Sequence, residues 1–278
     1  MSETRSKNSS LPIVQGLWYG TTVLGQMELL SIQSFLQNGH AYHLYSYDEI
    51  ANLPKGAVLK DAAEIHKHPE AIKNRDGKVL GAAFSDVFRY KLIHDKGNFW
   101  ADLDVVCLKP FAFGEDIVLA TERHRSNLKL DYRVTNDPNI GVNGNVMRFP
   151  PNSPEMLFCY ERATNFDRSK LGFGEIGPEL LTRCAEKFEL QRFAKPVEMF
   201  NPIHYFNYRD IVNPSKQFAF SEGTYAVHLW SGAWGKNKLK HRLVNLLLQR
   251  PAQQKNHRFP VTTLYGQLLN RYLYQAPR

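Results

Sequence analysis

The chain has 278 residues, of which 43% are hydrophobic and 12% aromatic, and this composition excludes a disordered protein. It contains no run of about 18 apolar residues, so no transmembrane helix is expected. Residues 1–10 are polar, lack a secretory signal and are predicted to be a disordered segment. The three cysteines are scattered and odd in number, which favours buried thiols in a reducing compartment. A cytoplasmic protein is therefore predicted, with residues 11–278 forming a single domain.

The positive charge is concentrated at the C-terminal end. The formal net charge is +8, and residues 236–278 contain four lysines and five arginines but no acidic residue. We expect a basic helical extension there that makes peripheral contact with an anionic membrane or an anionic acceptor, or else a solvated helical face. No recognition motif supports binding to nucleic acid, so such a partner is not expected.

The first 47 residues predict a β-strand, a helix and a second strand. Residues 11–19 and 41–47 are apolar strand-like segments, and residues 24–37 carry apolar side chains at helical spacing. A strand–helix–strand unit of this length predicts a parallel sheet in an α/β fold. Ligands of such a sheet bind at the carboxyl ends of its strands.

The remaining segments predict further helices and strands. In chain order they are a weak helix at 61–66, a helix at 81–96, strands at 99–108 and 116–121, a loop at 122–139, a strand at 140–149 with a turn at 143–145, helices at 153–164 and 178–187, a strand at 225–230, and helices at 239–248 and 261–274.

Asp102 and Asp104 form an Asp-x-Asp motif in the strand predicted at 99–108. Side chains two residues apart on a strand point to the same side, where two carboxylates would repel each other. A hard divalent cation such as Mg²⁺ or Mn²⁺ between them would offset that repulsion and would also bind diphosphate oxygens. The motif alone is weak evidence, because it also occurs by chance in turns and at solvated edges.

Asp86 and Arg89 lie three residues apart on one face of the predicted helix. They form either a surface ion pair or a pair that holds sugar hydroxyls, since together they accept and donate hydrogen bonds. His228 is either a packed histidine or a ligand of an Mn²⁺-type site. Trp18 ends the first strand, where packing and ligand contact are both plausible, and Asn143 belongs to the predicted turn.

These residues, in this order, resemble the sugar-binding region of DXD-containing glycosyltransferases. The local likeness comprises Ser85-Asp86-x-x-Arg89-Tyr90, Gly97 and Asp102-x-Asp104, with further matches between Trp18 and Trp234. The family includes initiating α-mannosyltransferases, globotriaosylceramide synthase-like galactosyltransferases, bacterial polysaccharide enzymes and, more distantly, clostridial glucosylating toxins. This chain departs from its pattern at Asn98, which replaces a glycine, and at Ile176, which replaces a threonine.

The resemblance implies a GT-A type Rossmann-like fold with a mixed, largely parallel sheet. It implies that Asp102, Asp104 and His228 hold Mn²⁺ or Mg²⁺, and that Asp86 and Arg89 grip the donor sugar. The other residues that it places at the donor or acceptor are Trp18, Tyr90, Asn143, Asn145, Ser231 and Trp234. Lys236 follows them and either assists at the diphosphate or is an exposed lysine, and the second alternative is favoured.

The activity implied is retaining transfer of a hexose or N-acetylhexosamine from a nucleotide diphosphate sugar. A UDP-sugar is favoured as donor and GDP-mannose is second; the acceptor is a glycan or lipid-linked molecule of surface polysaccharide synthesis. The alternatives are an effector that glycosylates a protein and a degenerate module that binds a sugar nucleotide without turnover.

Overall fold

The structure is a computed structural model that describes residues 11–68, 72–73, 81–124, 135–167, 174–234 and 255–275. Its strands are β1 Val14–Leu17, β2 Tyr42–Ser46, β3 Ala57–Asp61, β4 Asn98–Ala101, β5 Val105–Cys107, β6 Val118–Arg123, β7 Ile140–Phe149 and β8 Ala226–His228. Its α-helices are α1 Gln26–Gln37, α2 Gly81–Lys96, α3 Pro154–Thr164, α4 Pro178–Lys187, α5 Val197–Phe200, α6 Ser231–Trp234 and α7 Leu264–Leu269. The disorder predicted at 1–10, the helix predicted at 239–248 and Lys236 lie outside the described residues.

Six strands form one mixed sheet in the order β3-β2-β1-β4-β7-β6. The first four strands of this order run parallel to one another, while β7 is antiparallel to both β4 and β6. The predicted α/β fold with a mixed, largely parallel sheet is therefore confirmed. Because β1 and β4 are adjacent and parallel, the segments that follow them, from Trp18 and from Asp102, begin at the same edge of the sheet.

Local sequence signals account for the ends of several helices. Gly97 follows α2 with a φ of +62°, a left-handed conformation that glycine adopts without steric cost. The Ser153 hydroxyl accepts a hydrogen bond from the Met156 amide (3.1 Å) and caps α3. Proline occupies the first turn of both α3 and α4, where a missing N–H costs nothing. These helices therefore have the bounds that the sequence predicts, to within a residue.

The strand predicted at 99–108 is wrong in one important respect: it is two strands in different sheets. β4 ends at Ala101, and β5 begins at Val105 and pairs with β8 in a separate two-stranded sheet. The Val105 amide donates to the Asp102 carbonyl oxygen (3.0 Å), so Asp102–Asp104 lie in a turn. The two carboxylates are consequently not held side by side by the alternation of a regular strand.

The turn predicted at Asn143–Asn145 is instead an irregularity inside the continuous strand β7. Leu119 of β6 pairs with Met147, but the next residue, Ala120, pairs with Asn143. The register thus jumps across residues 144–146, which is a bulge rather than a chain reversal. The Asn143 side-chain oxygen accepts a hydrogen bond from the Asn145 amide (2.8 Å), as in a turn, so turn chemistry and strand pairing coexist here.

Other segments were predicted incompletely. The sequence does not predict β3, whose apolar run is only three residues long and whose five residues are all partly or fully exposed. The 3₁₀ helix Tyr205–Val212 was also missed, and the helix predicted at 261–274 is divided into α7 and the π-helical Asn270–Tyr274. Within the part of the chain that is described, no helix has both the length and the apolar content needed to span a bilayer.

An aromatic cluster centred on Phe111 packs beneath the sheet. Phe111 is fully buried, and its ring centroid lies 5.3 Å from those of Phe35 and Phe99 and 5.4 Å from that of Phe200. These rings come from α1, β4 and α5, so the cluster joins distant parts of the chain. Edge-on aromatic contacts of this kind add to the hydrophobic contribution of the buried area.

Replacing Phe111 by alanine should destabilise the protein by about 3–5 kcal/mol, because it removes a large buried side chain and leaves a cavity. Urea unfolding measures the change in free energy of unfolding. Val261→Ala is the control, since Val261 is 59% exposed and its truncation should cost less than about 1 kcal/mol. Equal effects of the two substitutions would contradict this account of the core.

Candidate metal and sugar-nucleotide site

Backbone hydrogen bonds fix the turn that carries Asp102 and Asp104. The Asp102 amide donates to the carbonyl oxygen of Asn145 in the β7 bulge (2.9 Å). The Asp104 carbonyl oxygen accepts from the Leu229 amide just after β8 (2.8 Å). The turn is therefore held from the large sheet on one side and from the small sheet on the other.

The Asp102 carboxylate faces a buried arginine. Nη2 of Arg89 lies 3.2 Å from Oδ1 of Asp102 and 3.4 Å from Oδ1 of Asp86, and Nη1 donates to the Gly144 carbonyl oxygen (2.7 Å). The Trp100 indole N–H also donates to Asp102 Oδ1 (2.8 Å), and the guanidinium lies over the Trp100 ring at 5.0 Å. Arg89 is only 6% exposed, so the alternative of a surface ion pair is wrong.

Burial dominates the titration of both carboxyl groups next to Arg89. It raises the pKa of Asp86 to about 7, although the Arg89 charge acts in the opposite direction. It also raises the pKa of Asp102, again opposed by Arg89. Two acidic groups thus share one guanidinium in a poorly solvated place, and a further cation would stabilise their charged forms.

The Asp104 carboxylate faces His228. Its Oδ1 lies 3.2 Å from Nε2 of His228, and its Oδ2 accepts a hydrogen bond from the Ser231 backbone amide (2.7 Å). Burial opposes ionisation of Asp104, but His228 and Ser231 outweigh it and hold the pKa of Asp104 well below its usual range. Likewise, burial would lower the pKa of His228, yet Asp104 raises it. Each group therefore stabilises the charged form of the other.

Asn201 fixes the orientation of the His228 ring. Its amide nitrogen donates to the Thr121 carbonyl oxygen (2.9 Å), so its oxygen is the atom that faces Nδ1 of His228 at 3.2 Å. This assignment places a proton on Nδ1 and directs Nε2 towards Asp104. In metal-binding histidines, the ring nitrogen that does not bind the metal usually donates a hydrogen bond to a fixed oxygen.

Asp102, Asp104 and His228 each offer one ligand atom, and these atoms lie within 4.8 Å of one another. Two carboxylate oxygens and an imidazole nitrogen suit Mn²⁺, and the carboxylates alone suit Mg²⁺. The residues present therefore fit the metal implied by the sequence. They also match the three ligands that the resemblance implies.

The other predicted residues of the donor site occupy different kinds of position. Trp18 is partly exposed, its indole N–H donates to the Thr21 carbonyl oxygen (3.0 Å), and the ammonium of Lys255 lies 5.3 Å from its ring centroid. Tyr90 is fully buried, and its hydroxyl donates to the carbonyl oxygen of Ile176, just before α4 (2.8 Å). Within the described residues, Trp18 is thus partly exposed, whereas Tyr90 supports the loop beside Asp86.

The asparagines of the β7 bulge connect the two halves of the site. Asn145 is fully buried and donates from its amide nitrogen to the Asn201 side-chain oxygen (2.9 Å). Asn143 forms a side-chain hydrogen bond with Glu122. Asn143 and Asn145 therefore lie beside the carboxylate turn, and contact with donor or acceptor stays a prediction for both.

The two predicted residues after β8 differ in role. Ser231 contacts Asp104 through its backbone N–H and also through its side chain. Trp234 donates from its indole to the Leu229 carbonyl oxygen (2.8 Å), and its ring centroid lies 5.1 Å from that of Tyr265. Trp234 thus packs in the core next to α7, and its predicted approach to the diphosphate stays a prediction.

Glu122 and Asn201 are site residues that the sequence did not reveal. Glu122 stands near the end of β6, at a position predicted to begin a loop, and burial raises its pKa to about 7. Asn201 follows α5, a segment for which no element was predicted. An extension of the predicted strand at 116–121 by two residues would have placed Glu122 in the sheet; no comparable signal marks Asn201.

Comparison with known proteins gives only partial likenesses. No model of a protein family matches the chain, and no curated protein matches it. One similar solved structure, PaToxG Glycosyltransferase, has a TM-score of 0.47 and 15% identity over 64% of this chain and 70% of that one. Another, a transferase with two cysteine-to-serine substitutions, has a TM-score of 0.35 and 9% identity over 68% of this chain and 87% of that one. The function must therefore be inferred from this chain's own site.

The raised pKa of Glu122 predicts a specific pH dependence of stability. The unfolded chain releases this proton near pH 4.3, whereas the folded protein keeps it to about pH 7. Stability from this group is therefore full below pH 4.3 and is lost as the pH rises to about 7. Between pH 5.0 and 7.5, Glu122→Gln should remove roughly 2 kcal/mol of the wild-type decline in free energy of unfolding, measured with urea.

The control is Glu161→Gln, which makes the same chemical change at an exposed position of α3. Its decline between the two pH values should equal that of the wild type. An unchanged decline in Glu122→Gln would show that Glu122 ionises normally in the folded protein.

Proposed function

We propose that this protein is a metal-dependent retaining glycosyltransferase that uses a nucleotide diphosphate sugar as donor. The observation that carries this proposal is the convergence of Asp102, Asp104 and His228 beside the buried Asp86–Arg89 pair. A UDP-sugar is our first choice of donor and GDP-mannose our second. The acceptor in this proposal is a glycan or a lipid-linked sugar of surface polysaccharide synthesis.

The position of the site in the sheet supports a nucleotide ligand. Trp18 follows β1 and Asp102 follows β4, and these two strands are parallel neighbours. Their carboxyl ends form the edge at which α/β sheets bind ligands. In this proposal the nucleobase stacks on the exposed part of Trp18, and the diphosphate extends towards Asp102 and Asp104.

One set of charged residues would act on the diphosphate of the donor, and another would bind its sugar. Asp102, Asp104 and His228 would hold Mn²⁺ or Mg²⁺, which when bound supplies positive charge that stabilises the departing diphosphate. Asp86 and Arg89 offer carboxylate acceptors and guanidinium donors to the hydroxyls of the donor sugar. Because Arg89 is buried, Asp86 is only 14% exposed and the two are already paired, their geometry is fixed before binding, which limits the entropy lost.

The reaction forms a bond between an acceptor oxygen and the anomeric carbon of the sugar. The bond between that carbon and the diphosphate oxygen breaks, and its electron pair leaves with the diphosphate. For retention we infer attack from the face that the diphosphate leaves, with the acceptor's proton passing to the departing oxygen. The positive charge on the anomeric carbon resembles that in glycoside hydrolysis.

In this proposal, the basic C-terminal region attracts the protein to an anionic membrane surface. Of its charged residues, Lys255 pairs with Glu28 (2.5 Å), and the Arg258 guanidinium lies 5.2 Å from the centroid of the Tyr274 ring. Membrane contact would weaken at high ionic strength, because salt screens charges on an exposed surface.

Asp104→Asn should reduce sugar transfer and donor hydrolysis by at least about 100-fold, because an amide is a poor substitute for a carboxylate in holding a divalent cation. The measurement is release of UDP from a panel of UDP-sugars with and without Mn²⁺. The melting temperature of the wild type should also rise with UDP only when Mn²⁺ is present, because ligands that bind the folded state stabilise it.

The control is Asp116→Asn, since the Asp116 side chain is 82% exposed and only loosely paired with Arg148 (3.6 Å). It should retain wild-type turnover. Full activity of Asp104→Asn, or a UDP-dependent stabilisation that ignores Mn²⁺, would refute the proposed metal site.

A further inference from the structure

A cavity of about 130 Å³ lies beside the carboxylate–histidine cluster. Its lining includes Glu122, Glu198, Asn201, Tyr205 and Trp230. On the same measure one water molecule needs about 10–15 Å³, so the cavity has roughly the room of ten waters. That volume suits one sugar ring and is too small for a folded segment of another protein.

Two residues that line the cavity contact His228 of the proposed metal site. The Trp230 and His228 ring centroids are 3.9 Å apart, and Asn201 accepts the hydrogen bond from Nδ1 of His228. A molecule in the cavity would therefore touch the residues that position His228. This adjacency is what an acceptor needs, because its nucleophilic oxygen must approach the bond that breaks.

Trp230 is held in an unusual backbone conformation. Its φ is +58°, in the left-handed region that residues with a side chain rarely adopt. Its indole N–H donates to the Ile203 carbonyl oxygen (2.8 Å), and its ring meets the Tyr205 ring edge-on at 5.5 Å. Strain of this kind persists only where the surroundings impose it, and it often accompanies a ligand site.

The lining combines aromatic faces with acidic and amide groups. Tyr205 and Trp230 offer apolar surface to the C–H face of a pyranose, and the Glu122 carboxyl group offers a hydrogen-bond partner to its hydroxyls. The charge of Arg123, which also lines the cavity, is matched by Asp137 (2.9 Å). The carboxyl groups disfavour a phosphorylated or carboxylated ring, so the chemistry selects a neutral sugar.

We propose that this cavity is the acceptor subsite and that it binds the terminal neutral sugar ring of a glycan or glycolipid. Glu122 accepts a hydrogen bond from an acceptor hydroxyl, and Tyr205 and Trp230 pack against the ring. This proposal rests on the proposed glycosyltransferase function and names the acceptor class for it. The acceptor proton still leaves with the diphosphate, so Glu122 orients the hydroxyl and takes up no proton.

Saturation-transfer NMR with small sugars tests the proposal directly. The probes are methyl α-D-mannopyranoside, methyl β-D-galactopyranoside and the methyl glycoside of N-acetylglucosamine, each with the 278-residue chain. At least one should show saturation of its ring C–H protons. At pH 8, where Glu122 is ionised, Glu122→Gln should weaken that binding by about tenfold, because it replaces a charged acceptor by a neutral one. Tyr205→Ala should weaken it by a similar factor, because it removes an aromatic face.

Two further measurements separate the possible outcomes. Glu161→Gln, at the exposed position on α3, should bind the sugars as the wild type does. The melting-temperature shift with UDP and Mn²⁺ reports on the donor site, so loss of sugar binding with an intact shift localises the defect to the cavity. Absence of that shift in the wild type would count against the proposed function, whatever the sugars do.

Three results would overturn the acceptor proposal. One is that no methyl glycoside binds the wild type. Another is that both cavity variants bind the sugars unchanged, which would place the binding elsewhere. A third is that N-acetyltyrosinamide or N-acetylserinamide competes for the cavity more strongly than any sugar, which would favour a protein acceptor.

Discussion

The arrangement of this site depends on the compensation of buried negative charge. The side chains of Asp86, Asp102 and Asp104 lie close together and are 10–25% exposed, and Arg89 and His228 are the positive groups that face them. An isolated carboxylate in such a place would cost several kcal/mol. Arg89 faces two carboxylates at once, so its single positive charge does not neutralise both of them. A divalent cation bound here would neutralise the remaining negative charge of the carboxylates.

The β7 bulge fixes the positions of the residues around these charged groups. It directs the Gly144 carbonyl oxygen to Arg89, the Asn145 carbonyl oxygen to the Asp102 amide, and the Asn145 side chain to Asn201. A regular strand would point alternate groups to opposite faces of the sheet and would not bring all three to one place. Gly144 is needed as well, since a Cβ there would lie 2.5 Å from Nη1 of Arg89.

Sequence patterns predict the elements that have strong local signals. They do not predict features that depend on pairing between distant segments of the chain. α2 and β7 have the predicted bounds because an apolar stripe or an apolar run defines each of them. The Asn143–Asn145 turn was wrong because a bulge uses the same residue types as a turn. The strand at 99–108 was wrong because the exchange of one sheet for another leaves no trace in hydrophobic periodicity.

The candidate site shows the same division. Family resemblance pointed to Asp102, Asp104 and His228, which the structure brings together. Spacing alone could not show that Arg89 is buried between two carboxylates. Glu122 and Asn201 were not predicted because their roles depend on neighbours that are distant in the sequence. A single glutamate or asparagine also carries no periodic signal. Residues that support a site are harder to predict than residues that form a motif.

The distance along the chain between Asp104 and His228 has a consequence for biosynthesis. All six strands of the large sheet lie within residues 14–149, so that sheet can form while the rest of the chain is still being translated. β5 has no partner until β8 emerges, and Asp104 lacks its imidazole and its Ser231 amide until then. A nascent chain that has reached residue 149 therefore contains all six strands of the large sheet but only part of the centre. The group formed by Asp102, Asp104 and His228 is therefore completed late in synthesis, and shorter nascent chains lack one of its three side chains.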